Sequence, residues 1–410
     1  MTRGDDIKIT NDANPVRESF ESRNLQRTMS RRCLALFGLL VFIVLLCMCL
    51  PSNMFGNPLY FESAQTILFQ VYTHLGNLLS YVTGGDSGGY ENWICLYICG
   101  AVGGAALGMC GSVYQGALRN PLAAPKTLGV MSGGALGVLV YVLFIESHLP
   151  TIPYSGYIST DTIAAWMASL DPFTWFMANY GKCLCSIIGC FLIVGVVIGI
   201  SALVGRGRLS NITMIIAGQI FAASITALIL YFKAVFISNG LDTVSEELAA
   251  IENYCMQGSY NTYSLAIICV PLLACMLLAF CLRGRLTALS LGDEEAQSMG
   301  VNVNRLRYGM VALCTLMTAI SISFNGHVAF LGFISAHLAR RIVGPDMRFL
   351  LPASAFVGGM MFTVVYYLSR SGLPFTAEGS AGVICGVVGS VLFLVLVIRH
   401  RGDSFSSWGR

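Results

Sequence analysis

Residues 93–114 read WICLYICGAVGGAALGMCGSVY, with no Asp, Glu, Lys or Arg among them. A helix that crosses about 30 Å of hydrocarbon needs about 20 mostly apolar residues, and this stretch supplies them. Gly100, Gly104 and Gly108 recur every four residues along it. Stripes of small residues let helix backbones approach closely in lipid, where burial of apolar side chains no longer drives association. Such a segment belongs to the interior of a helical membrane protein.

Working outward, nine more segments have similar character: 33–50, 126–145, 183–204, 212–232, 264–282, 306–325, 328–343, 349–369 and 380–398. The expected fold class is therefore all-α polytopic membrane protein with about ten transmembrane helices. Gly129, Gly133 and Gly137 repeat the four-residue stripe in the third segment. Both stripes are read as packing within one subunit rather than as a dimer seam. The stretch 64–82, with His74 and Asn77, is amphipathic and is placed outside the membrane.

Composition agrees. The chain is 55% hydrophobic and 11% charged, against about 25% charged in ordinary soluble domains. Its net charge of +3 gives no reason to expect a nucleic-acid partner. Most of the 15 cysteines lie in apolar runs, as Cys47, Cys49, Cys95, Cys99, Cys269, Cys275 and Cys281 do, where cysteine behaves as a small hydrophobe. No spacing of Cys and His suggests a metal site.

Charge placement tests the count of spans. With the amino terminus cytoplasmic and the sides alternating, only Lys182, Lys233 and Arg370 of the 24 basic residues fall outside. That asymmetry follows the positive-inside rule and puts both termini in the cytoplasm. The expected organisation is a polar cytoplasmic tail 1–32, a transmembrane domain 33–400 with an inner loop at 283–305, and a cytoplasmic tail 401–410. Pro51, Ser52 and Asn53 mark the end of the first apolar run, which is read as a retained span. The outer segments 51–92, 146–182 and 233–263 lean acidic.

Groups that could carry chemistry are scarce. The spans hold essentially no ionisable residue at mid-membrane, where a proton- or sodium-coupled carrier usually keeps a relay. His327 and His337 are ten residues apart, which is not a metal-ligand spacing on one helix face, and each is read as a local hydrogen-bond former. Glu378 stands near an outer helix start, where a carboxylate suits the positive helix terminus. Contact with a substrate on the translocation path is its alternative role. Leu291-Gly292-Asp293-Glu294-Glu295-Ala296-Gln297-Ser298-Met299-Gly300-Val301 reads as a short amphipathic helix with acids at its start and Ala296 and Met299 on one side. It is either a solvated connector or a helix that docks in a partner's groove.

That last segment resembles the L-G-x-x-x-A-x-x-L-G-V coupling motif of the iron-chelate and cobalamin ABC importer permeases, the FecCD type. Gln115-Gly116-Ala117-Leu118-Arg119-Asn120-Pro121-Leu122-Ala123 is similar to that family's Q-G-x-x-R-N-P-L-A. Gly332-Phe333, His337-Leu338-Ala339-Arg340, Val343-Gly344-Pro345-Asp346 and Leu350-Leu351-Pro352 resemble its G-F … P-H-x-x-R … G-x-D … L-L-P stretch. The sequence departs from the family in Ala336, where a proline usually stands, and in 365–370 and 377–382, which lose an aspartate and a proline. The resemblance implies a permease that makes no bond itself and binds no cofactor. It implies a second permease copy or paralogue, two cytoplasmic ATPase subunits that use ATP and dock on 291–301, and an extracytoplasmic substrate-binding protein. It also implies a bacterial inner-membrane location and Arg370 as a docking point for that binding protein, the alternative being that Arg370 only snorkels to the interface from a helix end. The cargo it implies is an iron-siderophore, haem or cobalamin-type chelate. The alternative left open by the residues is a secondary transporter or exporter that works without an ATPase.

Overall fold

A computed structural model describes residues 15–50, 72–80, 83, 91–145, 148, 171–205, 211–238, 262–370 and 381–399. Among the described residues the regular structure is helical throughout, and the principal helices are α1 Pro15–Cys49, α2 Glu91–Ala117, α3 Val130–Phe144, α4 Pro172–Val204, α5 Asn211–Ser238 and α6 Thr262–Cys281. They continue as α7 Arg283–Leu291, α8 Asp293–Ser298, α9 Val303–Asn325, α10 Leu331–Val343, α11 Met347–Arg370 and α12 Ala381–Arg399. Helix α1 runs back to Pro15 without a break, so the polar segment before residue 33 is helical from there on.

Helix α2 is the axis of the bundle. Within its apolar window 89% of residues are buried, against 11% for α5, which lies at the periphery. The outward faces of the peripheral helices carry Phe42, Ile188, Leu192, Ile216, Ile220, Leu230, Val387 and Val391, all exposed. Apolar surface of that extent faces lipid or another chain, and the protein is a multi-pass membrane protein.

Glycine explains how α2 can be surrounded. A side chain at Gly104 would meet Phe362 and the Gly358 carbonyl, one at Gly108 the Ser354 carbonyl, and one at Gly111 the Gly332 carbonyl. Backbone therefore lies on backbone where α2 meets α11 and α10. The second stripe works the same way between α3 and α4, with Gly133 against Gly189 and Gly137 against Cys185. Both stripes pack within one subunit. Asp171 starts α4 as its N-cap, accepting from the Thr174 N–H at 3.0 Å, with Pro172 following as the first helical residue. Hydrogen bonds from Thr174 hold the Asp171 carboxyl below its ordinary range.

Each of the ten expected segments holds a helix, but their lengths differ. Among the described residues six helices are long and apolar enough to cross a membrane, and α6 with α7, bent by 55°, makes a seventh candidate. Helix α3 has 15 residues and α10 has 13, about 22 Å and 20 Å at 1.5 Å per residue. Neither reaches across about 30 Å, which corrects the expectation that 126–145 and 328–343 are full helical spans. Partner contacts show why. Helix α9 runs antiparallel to α2 from Arg307 beside Ala117 to Asn325, whose amide donates to the Cys99 carbonyl at 3.3 Å. Yet α10 begins only at the level of Gly111, where Gly332 packs. Residues 326–330 cover that difference in non-helical backbone. Residues 118–129 do the same before α3, and 326–330 touches both that segment and the start of α3: Lys126 lies over the Phe330 ring, 4.9 Å from its centroid, and His327 donates to the Met131 carbonyl at 2.7 Å. Non-helical chain at membrane depth is tolerated only when protein or a water-filled cavity covers it.

Candidate functional site

Among the described residues, Arg32, Arg119, Arg307, Arg340 and Arg341 gather at the end of the bundle where α2 and α10 stop, and the motif residues gather with them. Helix α2 ends there. The Arg119 N–H donates to the Gly116 carbonyl at 3.3 Å and the Asn120 N–H to the Gln115 carbonyl at 3.1 Å. This is the Schellman arrangement that satisfies orphan carbonyls at a helix end, and it places a left-handed residue where glycine is usual. Here that residue is Arg119, at φ 48. The Asn120 carboxamide then accepts from the Leu122 N–H at 2.9 Å and, with Pro121, turns the chain back into the bundle. Arg119→Gly should relieve backbone strain and raise stability by about 1 kcal/mol, read as a higher melting temperature in detergent. Loss of transport in so stabilised a variant would assign the function to the exposed guanidinium.

The other motif residues are structural in the same way. Gln115 is buried with its amide 3.4 Å from His337 Nδ1, which itself donates to the Phe333 carbonyl at 2.9 Å. Arg340 lies in the last turn of α10, where cations suit the helix terminus. Asp346 begins α11, accepting from the Arg348 N–H at 2.9 Å. Arg32, on α1, reaches the α10 terminus and donates to the Ile342 carbonyl at 2.6 Å.

The segment 291–301 holds one short helix, α8, bracketed by Gly292 and Gly300 as expected, and a second helix, α7, leads into it. Helix α7 leaves α6 at the 55° bend and ends at Leu291, Gly292 is extended, and α8 follows with Asp293, Glu294 and Glu295 in its first turn, where acids stabilise a helix start. Gly300 ends α8 at φ 77, its N–H on the Gln297 carbonyl and the Val301 N–H on that of Ala296. Ala296 is fully buried against the rest of the chain, whereas Met299 is 61% and Leu291 56% exposed. Ala296 and Met299 therefore do not share a face, contrary to expectation: Ala296 anchors α8 to its own subunit. Leu291, Glu294, Glu295, Gln297 and Met299 make up the open face.

Arg307, on α9, escaped the sequence reading and stands at the centre of this end. It is buried at 6% exposure, donates from Nε to the Ala117 carbonyl at 2.9 Å, and pairs through Nη2 with Asp293 Oδ1 at 2.7 Å. One guanidinium thus joins α9, the end of α2 and the start of α8. A signal existed: Val303, Leu306, Met310, Val311 and Cys314 form the buried stripe of α9, and Arg307 falls on it.

At the far end, Arg370 is the last residue of α11, with a side chain outside what is described, and Glu378 lies outside the described residues. Among the described residues no group of three His, Cys, Asp or Glu is placed to hold a metal ion.

Comparison with known proteins fits this architecture. The profile of the FecCD transport family matches residues 66–399. An uncharacterised ABC transporter permease protein of Bacillus subtilis, YvrB, is 28% identical over 343 residues, covering 82% of this chain and 86% of the relative. The Fe(3+)-citrate import system permease protein YfmE of the same organism is 26% identical, covering 73% and 78%. The vitamin B12 import system permease protein BtuC of Yersinia pestis is 28% identical, with the same coverage of 73% and 78%. Among solved structures, an inward-facing transporter described as of the metal-chelate ABC type superposes with a TM-score of 0.62 at 21% identity, covering 90% of this chain and 99% of that one. The central α2 with its glycine contacts, the motif residues at the basic end and a family match over most of the chain lead to one assignment: this protein belongs to the FecCD transport family.

Proposed function

We propose that the chain is the permease subunit of an ABC importer that passes a metal chelate of the iron-siderophore, haem or cobalamin class across a bacterial inner membrane. Two copies, or this chain and a paralogue, form the path. A separate ATPase docks on the open face of α7 and α8, and a binding protein delivers the chelate at the far end. The basic end is cytoplasmic, and the chain crosses ten times, with α3 and α10 completed by the non-helical segments before them. The observation that carries this reading is the exposed apolar pair Leu291 and Met299 on a short acidic helix at the basic end. Exposed apolar anchors beside charge suit a partner's groove better than water.

The test is uptake by vesicles holding the chain together with its co-expressed ATPase and binding protein. Ferric citrate, haem and vitamin B12 are the probes, and at least one should accumulate with ATP and not with a proton gradient alone. Accumulation driven by the gradient without the ATPase would make the chain a secondary transporter. Orientation is read separately: a single cysteine at Gln297, in a background without other cysteines, should react with an impermeant thiol reagent only after permeabilisation.

A further inference from the structure

Helix α8 sits between two pliable joints. Gly292 is extended, and Gly300 is left-handed with open space around it. A six-residue helix on such joints can be pushed without moving anything else, unless something fixes it to the body of the subunit. Two contacts do. One is the buried Ala296, and the other is the pair from Asp293 to Arg307 at 2.7 Å. The second runs further, because the same guanidinium holds the Ala117 carbonyl. That carbonyl is one of the orphan acceptors at the end of α2, where the helix dipole favours a cation. Just beyond Ala117 lies the Arg119 turn, from which residues 118–129 climb to meet 326–330 at Lys126 and Phe330.

We propose that Arg307 is a positioning residue for coupling: it locks α8 to the inner end of α2, so that a displacement of α8 is delivered to the central helix and the non-helical segment behind it. This rests on the reading that an ATPase docks on α8. The planar fork of arginine serves acceptors on two elements at once. A lysine keeps the charge and cannot reproduce both bonds.

The experiment uses the full chain with its ATPase and binding protein and compares Arg307→Lys, Asp293→Ala and the double variant. Each should insert and co-purify with the ATPase, while ferric citrate or vitamin B12 taken up per ATP hydrolysed falls about tenfold. Asp293→Glu should stay within about twofold of wild type. The double variant should be no worse than either single one, because both break the same link. Hydrogen exchange on the permease alone supplies a second measurement: amides of 293–299 should exchange about tenfold faster in Asp293→Ala and Arg307→Lys. Unchanged exchange there, or full coupling in Asp293→Ala, would overturn the tether and leave Arg307 as a cap on α2. A wild-type chain that recruits no ATPase and takes up neither probe would instead overturn the importer reading, and the exchange measurement would still decide the tether.

Discussion

Gly108→Leu is expected to abolish accumulation of folded protein, whereas Gly195→Leu should leave it near wild type. A side chain at 108 would point into the Ser354 carbonyl and the Gly358 Cα, with the Ser335 hydroxyl beside them. Overpacking costs about 1–3 kcal/mol even where neighbouring side chains can shift. Here the obstacle is the backbone of α11, which moves only if the two helices part along their length. Gly104 would lose its contacts with Gly358 and Phe362 on that helix. Gly195, on α4, has nothing within 4 Å, so the same leucine adds apolar surface where the membrane accepts it. The monodisperse fraction after detergent extraction decides the matter, and equal yields from the two variants would sink the packing account.

The second large effect separates Ala296 from Met299, which lie three residues apart. Ala296→Asp should release α8 from the subunit even when no partner is present. An aspartate there is a carboxylate with no charge partner in a fully buried site, a cost of at least several kcal/mol unless it is re-solvated. Swinging α8 out on Gly292 and Gly300 is the way to re-solvate it. Limited proteolysis of the isolated permease should show cleavage within 292–301. Met299→Glu changes an exposed residue and should leave the isolated permease resistant, while weakening its hold on the ATPase. Loss of a central apolar anchor costs about 2 kcal/mol or more, roughly thirtyfold in affinity. Cleavage of both variants, or of neither, would show that the two faces of α8 are not as distinct as the burial pattern makes them.

Apolar runs were enough to find the membrane helices, because lipid demands long apolar stretches. The glycine stripes were equally plain, since spacing alone puts Gly100, Gly104 and Gly108 on one face. What stayed hidden depended on distance in the chain. Nothing local in 328–343 says that the first three residues are not helical. The signal is that α9 stops at Cys99 while α10 starts at Gly111, a fact about neighbours. The motif residues raised a different difficulty. Arg119, Asn120 and Asp346 carried only a motif resemblance in the sequence, and in the structure they stand at helix ends and turns, because polar residues at fixed spacing suit caps as well as ligands. The connector shows the converse. Ala296 looked like a contact for a partner and is a contact within the chain, since an amphipathic pattern in a six-residue helix does not say which apolar face turns inward.

The shortness of α10 also bears on how the chain is made. A segment leaves the insertion channel for lipid when its own sequence favours the bilayer, which takes about 20 apolar residues. With 13 residues, and Arg340 and Arg341 in its last turn, α10 does not meet that condition, whereas α2, α9 and α11 do. It is held between α2, synthesised long before it, and α11, synthesised after it. Its place in the membrane is therefore secured only once α11 has entered, so this part of the bundle is completed against the order of translation. A ribosome stalled near Val343 would hold a chain whose α10 has no stable position.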